Sequence, residues 1–165
     1  MIEELKQIEN LVLKAREYKI QHLIEDKECK EYFGYNFQLN QLKIKFRKAK
    51  ITPKKAGQFV TLWKRNAEQQ TEPFGVNDKF DFYIVFTEYE NKQGFFLFSK
   101  QILSEKQILT TNQKEGKRGF RVYPKWVKTE SKQAKETQVW QTKYFVDLTN
   151  DKLKILEEFN SIIST

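Results

Sequence analysis

Nine Lys and Arg residues lie between Lys43 and Arg65 with no Asp or Glu among them. The acid-free window runs from Tyr32 to Ala67 and carries +9 against +8 for the whole chain, so everything outside it sums to −1. A second island, Lys114–Lys128, carries +5. Charge concentrated in this way points to a polyanionic partner. The chemistry on offer is phosphate contact. Lys43, Lys45, Arg47, Lys48, Lys50, Lys54 and Lys55 supply it in the first island, and Lys117, Arg118 and Arg121 extend the track in the second. Tyr123 and Trp126 interleave flat rings with those cations, a composition suited to stacking bases along a backbone.

Other chemistries find less support. His22 and Cys29 are each the only residue of their type, which leaves no internal disulfide and no Cys/His zinc cage. They are seven residues apart with no third member, so no nucleophile–base pair follows. Gly116-Lys117-Arg118-Gly119 lacks the glycine spacing and the Ser/Thr of a P-loop. Glu72, Asp78, Asp81 and Glu88 are the carboxylates open to a metal role, but Asp81 and Glu88 fall on opposite faces of one strand. No cofactor or metal is assigned, and the reading leans against enzymatic activity without closing it.

The elements that position these residues follow from periodicity. Ile2, Leu5, Ile8, Leu11, Val12 and Ala15 mark an amphipathic first helix, and Tyr18–Ile24 reads as a strand. Gly34–Leu39 and Leu42–Arg47 form a hairpin turning at Asn40-Gln41. In its second strand Leu42, Ile44 and Phe46 alternate with Lys43, Lys45 and Arg47, so one face is core and the other a column of cations. The alternation slips at Lys48. Thr52-Pro53 has the N-cap and N1 pattern of a helix whose buried stripe is Ala56, Phe59, Val60, Trp63 and Ala67. Lys54 and Lys55 would then sit in its first turn, where an anion would offset their repulsion from the macrodipole.

Phe80–Glu88 and Gly94–Lys100 form a second hairpin, apolar on both faces and therefore central. Ser99 caps a short helix carrying Ile102, Leu103 and Ile108, and Phe120–Tyr123 is a strand ended by Pro124. Ser131–Leu148 reads as a helix with Trp140, Tyr144 and Leu148 on one line, and Asn150-Asp151 opens a last helix with Ile155, Leu156, Phe159, Ile162 and Ile163 as its stripe.

Several phrases recur together in one family: GYNF at 34–37, FRKAKITPKKAGQFVTLWKRN at 46–66, EPF at 72–74, FDFYIVF at 80–86, GFFLFSK at 94–100, GKRGFRVYPKW at 116–126 and WQTKYF at 140–145. On these the chain resembles the MepB-like family from about Tyr32 to Phe145. The family name comes from a staphylococcal gene cluster that also encodes a multidrug efflux pump, and the resemblance implies no catalytic activity. The element order also resembles the core of restriction-endonuclease-like domains: helix, three strands, helix, strand. Those nucleases need an acid on the second strand and Glu/Asp-x-Lys on the third. Here the third strand offers Lys43-Ile44-Lys45, Gly34–Leu39 holds no acid, and Glu25-Asp26-Lys27 comes a strand too early.

The chain is therefore read as one α+β domain over residues 1–165, with a mixed or antiparallel sheet flanked by helices. Hydrophobic residues make up 39% of it and charged residues 32%, with no run long enough to span a bilayer. The acidic start, MIEELKQIEN, lacks the pattern of a signal peptide, so the expected address is cytoplasmic. The functional expectation is nucleic-acid binding, DNA or RNA, with low sequence specificity. The alternatives are a metal-dependent nuclease with a displaced acid site and an adaptor for an acidic protein or anionic membrane surface.

Overall fold

The computed structural model describes Met1–Ser164. Its helices are α1 (Glu3–Ile8), α2 (Lys100–Glu105), α3 (Lys132–Gln141) and α4 (Lys152–Ile163). Its strands are β1 (Ile20–Glu25), β2 (Tyr35–Leu39), β3 (Leu42–Lys48), β4 (Lys50–Ile51), β5 (Gln58–Thr61), β6 (Trp63–Arg65), β7 (Thr71–Pro73), β8 (Phe82–Tyr89), β9 (Lys92–Ser99), β10 (Gly119–Val122) and β11 (Phe145–Asp147). Six of them build a mixed sheet in the order β1-β2-β3-β8-β9-β11, in which only β3 and β8 run parallel. A smaller sheet, β10-β5-β4, and the β6-β7 ribbon complete an α+β architecture.

One face of the large sheet packs on helices. Leu5 and Ile8 from α1, Val12 from the π-helical turn Glu9–Leu13 that continues it, and Ile155, Phe159 and Ile162 from α4 cover Phe37, Ile44, Phe46, Ile84, Phe86 and Leu97. The other face is covered by the small sheet and α2, where Val60, Leu62, Phe120, Val122 and Leu103 meet Tyr83, Val85, Phe96 and Phe98. Burial on both sides explains why β8 is apolar at successive positions: Phe82–Phe86 are all buried, alternating between the two cores. The two hairpin turns, Asn40 (φ 55°) and Glu90 (φ 54°), have the left-handed backbone a two-residue connection needs.

The stretch after Thr52 is not a helix. Residues 52–57 form a loop, and β5 and β6 follow. The segment Gln58–Trp63 is rich in β-branched and aromatic side chains, and as a strand it buries Gln58, Val60 and Leu62 on one face. A helical stripe would have left Leu62 outside the core, whereas it is 1% exposed. Pairing with β4 and β10 gives this segment a partner on each side. With the helix goes its N-terminal anion site, and the element order that carried the nuclease resemblance loses its second helix. Trp63, expected in the core, is half-buried, with the Arg65 guanidinium 5.4 Å from its ring.

A second correction concerns Ser131–Leu148. The helix begins as expected, with the Ser131 hydroxyl accepting from the Ala134 N–H, but it stops at Gln141. Phe145–Asp147 instead pairs with Gly94–Phe96 as the edge strand β11, and the Phe145 ring packs 4.7 Å from that of Phe96.

Candidate polyanion-binding cleft

The cations of the first island are dispersed by the fold, and most meet a carboxylate from elsewhere in the chain. Arg47 is 1% exposed, and its guanidinium bonds the Asp26 carboxylate at 2.6 Å and the Phe46 carbonyl at 2.7 Å. Lys48 bonds Glu4 at 2.8 Å and sits 3.4 Å from Glu88. Burial opposes its charge, but those two bonds hold the ammonium above its ordinary pKa. Lys50 lies 3.8 Å from Glu31 and over the Tyr32 ring. Lys64 bonds Asp78 at 2.6 Å and approaches Glu72 at 3.6 Å, which raises its own pKa. For Asp78, burial is the largest influence and pushes upward, but the Lys64 and Gly75 bonds prevail and lower it. Arg65 pairs with Glu28.

The column of cations on β3 is therefore no solvent-facing phosphate track. The small-sheet side of β3 is the covered side, which buries Arg47 and places Lys45 4.3 Å from the centroid of the Phe74 ring. Lys43 alone of the three is exposed.

Lys54 and Lys55 have a different setting. They sit in the loop before β5, and that loop is fixed by Arg121 on β10. The Arg121 guanidinium donates to the carbonyls of Lys55, Ala56 and Gly57 at 2.9–3.5 Å. Gly57 has φ 76°, and a Cβ there would lie 2.6 Å from the Tyr123 ring, so only glycine closes this loop against β10. Opposite stands α3, whose start lines the cleft and whose C-terminal half is joined to the β10 segment by two glutamines. Gln141, fully buried, accepts from the Tyr123 N–H at 2.8 Å and donates to the Arg121 carbonyl at 2.9 Å. Gln138 donates to the Pro124 and Val127 carbonyls, both at 2.9 Å. A buried amide that uses both its ends in this way fixes the spacing of the elements it joins.

Between the loop, β10 and α3 runs a cleft in two stretches that share Arg121, Tyr123, Ser131, Gln133 and Ala134. One stretch adds Lys54, Lys55, Lys128 and Glu130; the other adds Lys106, Lys117, Thr137 and Trp140. The lining thus carries six cations and one carboxylate. Among the described residues, none of its five lysines has a carboxylate within 4.0 Å. Lys106 lies 5.4 Å from the Trp140 ring. Half-buried Tyr123 and Trp140 provide the flat surfaces. Uncompensated ammonium groups beside aromatic faces can take a chain of phosphates and stack its bases, or hold another polyanion.

Of the expected contact residues, Lys54, Lys55, Lys117, Arg121 and Tyr123 come together here. Lys43, Lys45, Arg47, Lys48 and Lys50 do not. Arg118 is turned toward Thr71 and Glu115. Trp126 packs edge-on against Phe145 at 5.4 Å as part of the core margin. Lys106, Lys128 and Trp140 join the cleft without having been singled out for it. Lys128 closes the second basic island, but nothing in the sequence ties Lys106 to it. Of the carboxylates open to a metal role, Glu72 and Asp78 share the Lys64 ammonium, while Asp81 accepts from the Lys43 N–H at 2.7 Å. No group of three or more His, Cys, Asp or Glu among the described residues is placed to hold a metal ion. No helix among them is long and apolar enough to cross a membrane.

A mixed six-stranded sheet with helices on one face and a small sheet on the other defines the class of protein. Residues 26–147 match the sequence model of the MepB-like family, and the chain belongs to that family. It is similar to a solved crystal structure of MepB, with 34% identity and a TM-score of 0.80 over 92% of this chain and 100% of that one. No curated protein matches it.

Proposed function

We propose that the chain binds nucleic acid with low sequence specificity, and that the cleft between the 52–57 loop, β10 and α3 takes the phosphate backbone. The reading rests on one observation: five lysines without carboxylate partners line a cleft that also holds Arg121, Tyr123 and Trp140. Charge of that kind draws a polyanion by releasing its counterions. The two rings accept any base, since every base has a π-face. The lining has no dense array of amide donors and acceptors to read base edges, which fits sequence tolerance.

Fluorescence anisotropy with labelled single- and double-stranded oligonucleotides tests the reading. Three to five phosphate contacts predict that log K falls with log salt with a slope of about −2 to −4.5, from single strands to duplex. Affinity that stays constant from 50 to 200 mM salt, roughly the range over which phosphate contacts lose most strength, contradicts it. Binding to polyglutamate with equal strength and equal salt dependence would assign the cleft to acidic proteins instead.

A further inference from the structure

Lys45 lies outside that cleft and is not one of its phosphate ligands. It projects from β3 opposite Asn36 of β2, and its ammonium donates to Asn36 Oδ1 at 3.3 Å. It lies 4.3 Å from the Phe74 ring centroid and 5.9 Å from that of Phe80. No described carboxylate stands within 4.0 Å of it, although this is one of the more buried lysines of the chain. Loss of water is the largest influence on its pKa, reinforced by Arg47 and Lys64 and opposed by Asp26 and Asp78, and the result is a value lowered to about 8. That shift raises the neutral share at pH 7 from roughly one in three thousand to about one in ten.

Lys45 lines a cleft of about 350 Å³ at the β2–β3 pair, with His22, Asn36, Gln38, Lys43 and Lys79 around it and no carboxylate in the lining. The cleft borders the bulge in β1, where the pairing with β2 shifts register between Gln21 and Ile24 and His22 takes φ 55°. A neutralisable amine, an amide acceptor to orient it, and two lysines beside it form a built constellation.

We propose that Lys45 is a reactive amine that condenses with a small phosphate-bearing aldehyde seated in this cleft, Lys43 and Lys79 holding the phosphate. The Lys45 ammonium first gives one proton to solvent. The Nζ lone pair then adds to the carbonyl carbon, and the resulting carbinolamine takes a proton and loses water. One C=O bond is replaced by C=N, so ammonium and aldehyde yield a protonated imine and one water, with no oxidant or reductant consumed. The iminium keeps its positive charge over the Phe74 ring, which favours it as it favours the ammonium.

The test is reductive trapping of the wild-type chain with glyceraldehyde 3-phosphate and cyanoborohydride at pH 7, mapped by peptide mass spectrometry. Lys45 is expected to be labelled about tenfold faster than exposed lysines such as Lys79. Lys45→Arg, which keeps the charge, removes the fast adduct. Lys43→Ala/Lys79→Ala slows trapping of the phosphorylated aldehyde severalfold and leaves plain glyceraldehyde unaffected. Labelling that follows exposure alone, with Lys45 no faster than its neighbours, overturns the proposal. Equal trapping of the two aldehydes by the wild-type chain overturns the phosphate seat. Neither of these readouts depends on a variant folding.

Discussion

The two basic islands resemble each other in sequence and differ in space. In the first, Arg47, Lys48, Lys50, Lys64 and Arg65 each reach a carboxylate, supplied by Asp26, Glu4, Glu31, Asp78 and Glu28. In the second, Arg118 reaches Glu115 and Lys125 reaches Glu158, but Arg121 spends its donors on loop carbonyls, and Lys117 and Lys128 stay without a carboxylate partner among the described residues. Lys54 and Lys55 come from the first island but fold beside the second. Local charge density in a sequence is therefore a poor guide to local potential. What counts is which cations the fold leaves uncompensated, because a paired ammonium has already lost most of its long-range field.

The sharpest way to break the comparison is at Arg47. If the first island is structural, Asp26→Ala leaves a buried guanidinium unpaired and costs about 3 kcal/mol, read as a lower urea midpoint. Oligonucleotide affinity of the folded fraction stays unchanged. A loss of affinity without a loss of stability would return Arg47 to the binding surface.

Next in size is the charge reversal Lys54→Glu/Lys55→Glu, expected to weaken oligonucleotide binding about 30-fold or more with little change in thermal stability. Its counterpart is Lys50→Glu, at a lysine already beside Glu31, which changes affinity less than about threefold. Equal losses from both would mean that pairing does not decide which cations act.

Gly57→Ala sharpens the same point through the backbone. With φ 76° and the Tyr123 ring 2.6 Å from the new Cβ, the loop has to shift, at a cost of roughly 1–3 kcal/mol. Affinity should fall as well, since Lys54 and Lys55 move with the loop. Affinity measurements beside denaturation curves separate the two effects.

The smallest effect is the pH response of the Lys64–Asp78 pair. The Asp78 carboxyl titrates lower in the folded chain than in the unfolded one, so its contribution is present above the unfolded pKa and is lost as pH falls through the folded value. Lys64 is shifted upward, so its contribution holds below its unfolded pKa and disappears only as strongly alkaline pH passes the folded value. Both groups are partly exposed, which limits the pair to about 0.5–1 kcal/mol. Asp78→Asn should flatten the acid limb of stability by that amount and leave oligonucleotide affinity unaltered.

Much of the scaffold was legible because it is written locally. Alternation placed both hairpins, and an Asn-containing two-residue turn fixed the register of β2 on β3. The caps at Ser99, Ser131 and Asp151 each accept from the backbone N–H three residues on, as the sequence pattern implies. The i, i+4, i+7 spacing of Ile155, Phe159 and Ile162 gave α4 its buried face, and an apolar run on both parities marked β8 as central. At the cleft, Lys54, Lys55, Lys117, Arg121 and Tyr123 were visible as cations and a ring, but their meeting was not.

The sequence by itself determined the amount of charge, the two hairpins, the capped helices and a sheet buried on both sides, since each depends on neighbours a few positions apart. Tertiary structure alone decided the rest. Thr52–Arg65 satisfied helix capping and helix periodicity, yet became loop and strands, because β4 and β10 supply backbone partners and a face of β8 needs covering. The same folding set Asp26 against Arg47 and Glu4 against Lys48, 21 and 44 positions apart. Electrostatic compensation works through space over a few ångströms, and no window along the chain records it.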